Sequence, residues 1–228
     1  RAPQKIKLKN VYFESTLESA ALKAVSIIKK TNLCRTGVLN KQLKEIVKRE
    51  KSLFSNRQKY VRGLFSGGTL CDEALFILKN SVRELYSNIA HDPVMKLKNS
   101  KVSYQNSLID LGDDEFTRGV PHPMIDFTVR NKRLIQEAKD PETAVILFDI
   151  VLGYGSHPDP ASAILPSIEF AGKLAKKSGR HICFVASICG TELDPQNLEK
   201  QKKDLESAGV IVLPSNALSA KFTEAILN

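Results

Sequence analysis

An α/β fold with parallel sheets wound on both faces is what this sequence predicts, and three observations carry the prediction. Runs of strand length, above all Ala144–Val151 and His181–Ser187, alternate regularly with helical stretches through the C-terminal half. These runs are apolar almost throughout, as strands covered on both faces are. Glycine-bearing loops fall where strands hand over to helices, the place where doubly wound sheets hold their ligands. The pattern is flavodoxin-like. The expected organisation is a partial α/β unit over residues 1–100, led by a basic N-terminal segment, and a complete flavodoxin-like domain over residues 101–228.

Taken in order, Ile6–Phe13 alternates polar and apolar residues and is expected as a strand. Ser15 or Thr16 can cap the next helix, with Glu18 reaching back to free amides. That helix runs to about Lys30, and Asn32–Gly37 is a break. Lys41–Lys51 is a weak helix or a linker. Lys59–Phe65 reads as a strand running into Ser66-Gly67-Gly68-Thr69, and Leu70–Leu85 as a helix. Val102–Leu111 gives two short extended pieces before a long loop through Pro123. A helix follows at Ile125–Ala138, ended by Asp140-Pro141. After the Ala144–Val151 strand come a helix at Ala161–Lys177, the His181–Ser187 strand, a helix at Pro195–Ala208, a strand at Val210–Leu213 and a helix at Asn216–Leu227. Tyr60–Leu78 and His181–Leu205 echo each other, each a strand, a Gly-Thr turn and an acidic residue, which hints at duplicated domains.

Composition narrows the function classes. The 228 residues are 42% hydrophobic and 26% charged, typical of a globular protein and unlike a disordered chain. The longest apolar run, Ala144–Phe148, stops at Asp149, far short of a membrane span. The net charge of +9 is uneven: residues 1–62 hold 16 Lys and Arg against 4 Asp and Glu. With no nucleic-acid motif and few interleaved aromatics, this basic quarter reads first as a solvated face and next as a surface for an acidic ligand or a partner subunit, and nucleic acid is not expected. Cys34, Cys71, Cys183 and Cys189 show no C-x-x-C spacing, so they are expected as reduced thiols of a cytoplasmic protein. The chain starts at Arg1 without a signal-peptide pattern and reads as a fragment or processed product.

Three loops are candidate anion cradles: Ser66-Gly67-Gly68-Thr69, Gly153-Tyr154-Gly155 with Ser156-His157, and Gly190-Thr191. Glycine lets the backbone approach a ligand closely, and a following helix offers free N–H groups and a positive dipole end. None matches the P-loop or G-x-G-x-x-G patterns. Gly112-Asp113-Asp114-Glu115 could bind Mg²⁺ together with substrate phosphate, or cap a helix; no metal is assigned. His122 lies between Pro121 and Pro123, which restrain its backbone, and it is the candidate acid/base or anion donor. His157 has a similar setting and a smaller case. No Gly-x-Ser-x-Gly or H-E-x-x-H pattern supports a hydrolase.

Several segments then coincide with one family. Arg62-Gly63-Leu64-Phe65-Ser66-Gly67-Gly68-Thr69-Leu70-Cys71-Asp72-Glu73-Ala74 resembles a hallmark of FdrA-type proteins. So do Ile109–Asp114, Gly119–Asp126, Asp149–Gly155 with Asp159-Pro160, and Gly190–Gln196. The resemblance spans about residue 8 to the end and is to the C-terminal half of such a protein. It implies succinyl-CoA-ligase-like domains and acyl-CoA synthetase-like chemistry, with CoA or a nucleotide with Mg²⁺ held elsewhere in the full-length protein and no certain cofactor in this chain. It also implies a link to oxamate carbamoyltransferase in purine-nitrogen catabolism. The substrate would be carbamoyl phosphate, oxamate or an acyl phosphate, handled with other protein subunits. Carbamoyl transfer is the leading expectation, with ADP-forming acyl-CoA synthesis and a non-catalytic assembly module as alternatives. In succinyl-CoA ligases, which these proteins resemble, paired helix N-termini from two such domains hold the phosphate, and Gly153-Tyr154-Gly155 is similar in position to one such helix start. The ligases' Gly-His-Ala-Gly phosphohistidine loop does not occur in these residues, and His122 is not at its place.

Overall fold

The structure, a computed structural model, describes residues 11–31 and 38–228. Helices α1 (Leu17–Lys29) and α2 (Lys41–Ser52) precede β1 (Tyr60–Phe65) and α3 (Gly68–Leu78). Then follow β2 (Leu85–Ser87), a 3₁₀ turn at Pro93–Met95, β3 (Asn106–Asp110), α4 (Asp114–Thr117) and α5 (Thr128–Lys139). The rest is β4 (Thr143–Val151), α6 (Pro160–Lys177), β5 (Cys183–Cys189), α7 (Leu198–Ser207), β6 (Ile211–Leu213) and α8 (Asn216–Leu227). The strands form one parallel sheet in the order β2-β3-β1-β4-β5-β6. Helices cover both faces, so the doubly wound α/β class holds.

Side chains alternate between two cores because successive strand residues point to opposite faces. Phe65, Val145, Leu147 and Val185 pack beneath α3 and α8 with Leu78 and Phe222. Leu64, Ile109, Ile146 and Phe148 pack beneath α5, α6 and α7 with Leu134, Ile164 and Leu205. Every strand residue from Thr143 to Ile150 is buried, which is why this segment reads as a continuous apolar run.

The division near residue 100 does not survive. β1 hydrogen-bonds to β3 on one side and β4 on the other, so segments before and after that point share one sheet. The echo between residues 60–78 and 181–205 is therefore two strand–turn units of a single sheet. The expected Leu70–Leu85 helix ends at Leu78. Glu84, at φ 52°, then turns the chain into the edge strand β2, whose three residues are too few to show a period. The helix expected from Pro195 starts at Leu198, where the Asn197 side chain accepts the Lys200 N–H at 3.1 Å. The strand expected over Ile6–Phe13 lies mostly outside the described residues, and residues 11–13 are not in a strand; the break at Asn32–Gly37 also lies outside them.

α2 is a true helix, capped by Asn40, whose Oδ1 accepts the Leu43 N–H at 2.8 Å. It docks at the amino end of the sheet through buried Val47 and Glu50. Glu50 Oε2 lies 2.6 Å from His181 Nε2. Burial opposes ionisation of Glu50, but His181 and Arg49 outweigh it and the carboxyl is held below its usual range. Gln58 closes the same end, its amide donating to the carbonyls of Thr143 at 2.7 Å and His181 at 2.5 Å. Among the described residues no helix is long and apolar enough to cross a membrane.

The two cores give a direct stability test. Phe148 is fully buried, so Phe148→Ala is expected to cost about 3–5 kcal/mol in urea unfolding. Tyr154→Ala, at a side chain 94% exposed, is expected to change it by less than about 0.5 kcal/mol.

Candidate functional site

The connection after β1 leaves the sheet toward the opposite face from those after its neighbours β3 and β4. The chain passes from β1 to α3 on one face, while β3 and β4 lead to helices on the other. The carboxyl ends of β1, β3 and β4 are thus the position of the crevice in which doubly wound sheets bind ligands.

Asp149, near the end of β4, has no solvent exposure. Its Oδ1 accepts the Ser66 N–H at 2.7 Å and its Oδ2 the Ser66 hydroxyl at 2.5 Å. Arg130 of α5, 1% exposed, donates to Oδ1 at 2.9 Å and to the Asp149 carbonyl at 2.5 Å. Burial pushes the Arg130 guanidinium down from its usual range, with Asp149 opposing that shift. Together they fix the backbone where β1 turns into α3.

That turn leaves α3 open. Its N-cap is Gly67, in extended conformation, and no side chain caps the helix. Among the described residues no hydrogen bond takes up the N–H groups of Gly68, Thr69 or Leu70. These amides and the positive end of the helix dipole face the crevice entrance. Facing Gly68 is Asp110, at the end of β3: a Cβ on Gly68 would lie 3.0 Å from Asp110 Oδ2. Burial, helped by Asp113 and Asp149, raises the Asp110 pKa, opposed by the Gly112 N–H and His122. The Asp110 backbone is fixed by Asn88, whose side chain accepts its N–H at 2.9 Å and donates to its carbonyl at 3.0 Å.

His122 joins this group. Its Nδ1 accepts the Met124 N–H at 3.2 Å, so the neutral ring carries its proton on Nε2. A Cβ at Gly112 would lie 2.6 Å from His122 Nε2, 2.6 Å from the Ser66 carbonyl and 3.1 Å from Asp110 Oδ1. Only glycine lets β1, β3 and the His122 loop converge this closely. Ser66, Gly67, Gly68, Thr69, Gly112 and His122 are thus brought together at one crevice.

The remaining expected residues lie elsewhere or are otherwise employed. Asp113 caps the short α4, accepting the Glu115 N–H at 3.0 Å, and Asp114 is exposed. Among the described residues no group of three or more potential ligands could hold a metal ion. The loop at Gly153, Tyr154 and Gly155 leads to α6, but the start of α6 is already filled. Asp159 Oδ1 takes the Ser162 N–H at 3.3 Å and Gln201 the Ala161 N–H at 2.8 Å, while Pro160 has no N–H. Gln196 clamps Gly153 through both its N–H and its carbonyl. Gly190 packs against Leu152, and the Thr191 N–H is taken by Asp194 at 2.5 Å. These two loops form a self-satisfied cluster beside the crevice. His157 belongs to it, its Nδ1 accepting the Asp159 N–H at 3.0 Å.

Sequence reasoning missed Asp110, Asp149, Arg130 and Asn88 as site residues. The available signal was a carboxylate at the last position of β3, Asp110, and one that interrupts the apolar run of β4, Asp149.

A doubly wound α/β domain with an open helix start at its switch point defines the class. The profile of the CoA-ligase family matches residues 64–226, and the chain belongs to that family. The "Uncharacterized protein YahF" of Escherichia coli strain K12 is 45% identical over 206 residues, covering 90% of this chain and 39% of YahF. The chain thus spans well under half the length of that relative. The structure of PH0766 from Pyrococcus horikoshii OT3 aligns with a TM-score of 0.47 at 12% identity, over 92% of this chain and 43% of that one.

Two outcomes check this electrostatic frame. Arg130→Met leaves the Asp149 carboxylate buried without its guanidinium and is expected to cost about 3–5 kcal/mol in urea unfolding. Asp159, held down to about 2 against burial by bonds from Gln201, Ser162 and Lys200, stabilises the fold above the ordinary carboxyl range. Its contribution fades as pH falls from about 4 toward 2. Asp159→Asn is therefore expected to reduce the unfolding free energy at pH 6 by at most about 1 kcal/mol at this part-exposed site, seen as a lower melting temperature. The difference from the parent should shrink as the pH approaches 2.

Proposed function

We propose that this chain is the part of an acyl-CoA synthetase-like enzyme that holds the phosphate of a small acyl phosphate at the start of α3. The observation that carries this reading is the uncapped α3 N-terminus at the sheet's switch point, within a chain of the CoA-ligase family. A phosphate there meets the N–H groups of Gly68, Thr69 and Leu70 and the helix dipole. His122 Nε2–H supplies a further donor from the opposite wall, and the Ser66–Asp149–Arg130 linkage keeps the cradle from shifting. In acyl transfer these donors stabilise the charge that develops on the carbonyl oxygen and on the departing phosphate. Asp110, with its raised pKa, accepts or returns a proton at the same place. CoA enters as the acceptor thiol, held by other parts of the enzyme or by partner subunits. Carbamoyl phosphate presents the same phosphate and carbonyl, and the FdrA-type resemblance brings carbamoyl transfer to oxamate within this reading as its second branch.

Gly67 provides the test. Its φ is −148° and a Cβ there meets nothing within 4 Å, so Gly67→Asp fits and caps α3 from within the chain. The variant is expected to be as stable as the parent, or a few tenths of a kcal/mol more so. In the parent, acetyl phosphate or carbamoyl phosphate at ~100 times its dissociation constant should add ~2.7 kcal/mol to unfolding. Gly67→Asp should abolish that gain; equal stabilisation of both proteins would rule the α3 site out. Turnover of ATP, CoA and short acids, set against turnover of carbamoyl phosphate with oxamate, then separates the two branches in the intact enzyme.

A further inference from the structure

α1 is built the wrong way round for a helix that completes a core. At ~100° per residue, Leu17, Ala21, Ala24 and Ile28 fall within about 60° of one another on one side of it. All four are exposed, Leu17 at 51% and Ile28 at 81%. Ala20, Val25 and Ile27 flank this stripe and are exposed too. The half-buried residues of α1 are Glu18, Ser19, Leu22, Lys23 and Ser26, on the other side, and four of these five are polar. No residue of α1 is fully buried. A helix that packs on its own core turns the apolar stripe inward, and a contiguous apolar patch left open marks an interaction surface.

The helix is nevertheless held in place. Its Leu17 N–H donates to Glu73 Oε1 of α3 at 2.6 Å, and Glu73 Oε2 accepts from the Asn216 amide of α8 at 2.8 Å. Leu17 and Ala21 also border a cavity shared with α3 and α8, yet stay exposed. Val11, Tyr12 and Phe13, about half exposed, extend the apolar surface at the helix start. Among the described residues nothing covers the stripe.

The stripe reads the same in both directions, because its spacings are four, three and four residues. These are the spacings of a coiled-coil seam. A two-fold interface requires a patch complementary to itself, and antiparallel pairing provides it. Leu17 then meets the second copy's Ile28, and Ala21 the second copy's Ala24, whose small side chains let the backbones close at the centre. The charges agree with this direction. Glu14 and Glu18 mark the amino end of α1, Lys29 and Lys30 the carboxyl end. Antiparallel copies set each acidic end against a basic one and oppose the helix dipoles; parallel copies would set like against like.

We propose that α1 is a self-association surface, joining two copies of this chain through an antiparallel α1–α1 pair centred between Leu22 and Lys23. A 13-residue helix is about 20 Å long, so the pair buries less than the ~1,200 Å² of a standard stable interface. The dimer is therefore weak and forms with rising concentration. The pairing stands apart from the α3 reading.

Sedimentation equilibrium of this chain from micromolar to near-millimolar concentration tests it. A reversible monomer–dimer equilibrium is expected. Ile28→Glu and Ala24→Glu, both at exposed positions, are each expected to weaken it at least tenfold. Val94→Glu, on an exposed apolar residue beside β2, is expected to leave it unchanged. Circular dichroism melting establishes that each variant is folded. Mild oxidation of a tagged Leu17→Cys copy mixed with an Ile28→Cys copy is expected to give the mixed crosslink above the parent's background, and more of it than either variant gives alone. A monomer at every concentration would overturn the proposal, and flotation with anionic vesicles would then show whether the stripe meets a lipid surface instead. Association indifferent to both stripe variants, or lost in Val94→Glu, would also overturn it. Crosslinking within Leu17→Cys alone as strong as in the mixture would overturn the antiparallel pairing.

Discussion

Asp149 sits near the end of β4 with no access to water, and the charge it brings there must be met from within the protein. An isolated buried carboxylate is among the costliest groups a fold can carry. Here Arg130 reaches across from α5, and Ser66 offers both its amide and its hydroxyl. The pair therefore joins three elements that are distant in sequence: the β1 terminus, β4 and α5. Ion pairs of this kind are weak contributors to net stability compared with apolar replacements of equal size. What this one does is fix geometry, because the strand end it holds is also the start of α3. The open amides of α3 take their position from that fixed point, while Asn88 separately holds the Asp110 backbone beside them.

The two ends of the sheet are treated differently. At the amino end the chain satisfies itself: Gln58 binds two strand carbonyls, and α2 delivers Glu50 to His181. A second buried cluster, in which Arg62 pairs with Glu137 and Asp140, ties β1 to α5. At the carboxyl end one half is likewise closed, by Asp159, Gln196 and Gln201 around the loops after β4 and β5. In the other half, at the start of α3, the first N–H groups have no partner among the described residues. A protein that caps α6 through two separate side chains, Asp159 and Gln201, has the means to cap α3, and at Gly67 it has no side chain at all.

How much of this could be read in the sequence depends on whether the cause is local. β4 and β5 were legible because burial on both faces demands unbroken apolar runs. β2 was not, because three residues carry no period and its place is set by pairing with β3. The position of β1 in mid-sheet was hidden for the same reason, and so residues 1–100 read as a unit of their own. Ser66-Gly67-Gly68 was legible as the turn from strand to helix because glycine at such a junction has a local meaning. The Gly153–Gly155 loop carried the same local signal, yet Gln201, far along the chain on α7, fills the helix start it leads to. Asp149 was visible as the residue that stops the longest apolar run, whereas its partner Arg130 lies on a helix with nothing nearby to mark it.

The place of β1 between β3 and β4 also governs how the chain can be born. On a ribosome adding ~5–20 residues per second, β1 emerges with both of its hydrogen-bonding edges bare. Neither edge can be covered until Asn106–Asp110 and then Thr143–Val151 have been made. For several seconds Val61, Leu64 and Phe65, all fully buried in the finished sheet, are presented as an unpaired apolar ribbon. The nascent protein is thus most open to chaperone capture or misassociation before β4 leaves the exit tunnel. Pausing that lengthens this interval should affect yield more than pausing after β5.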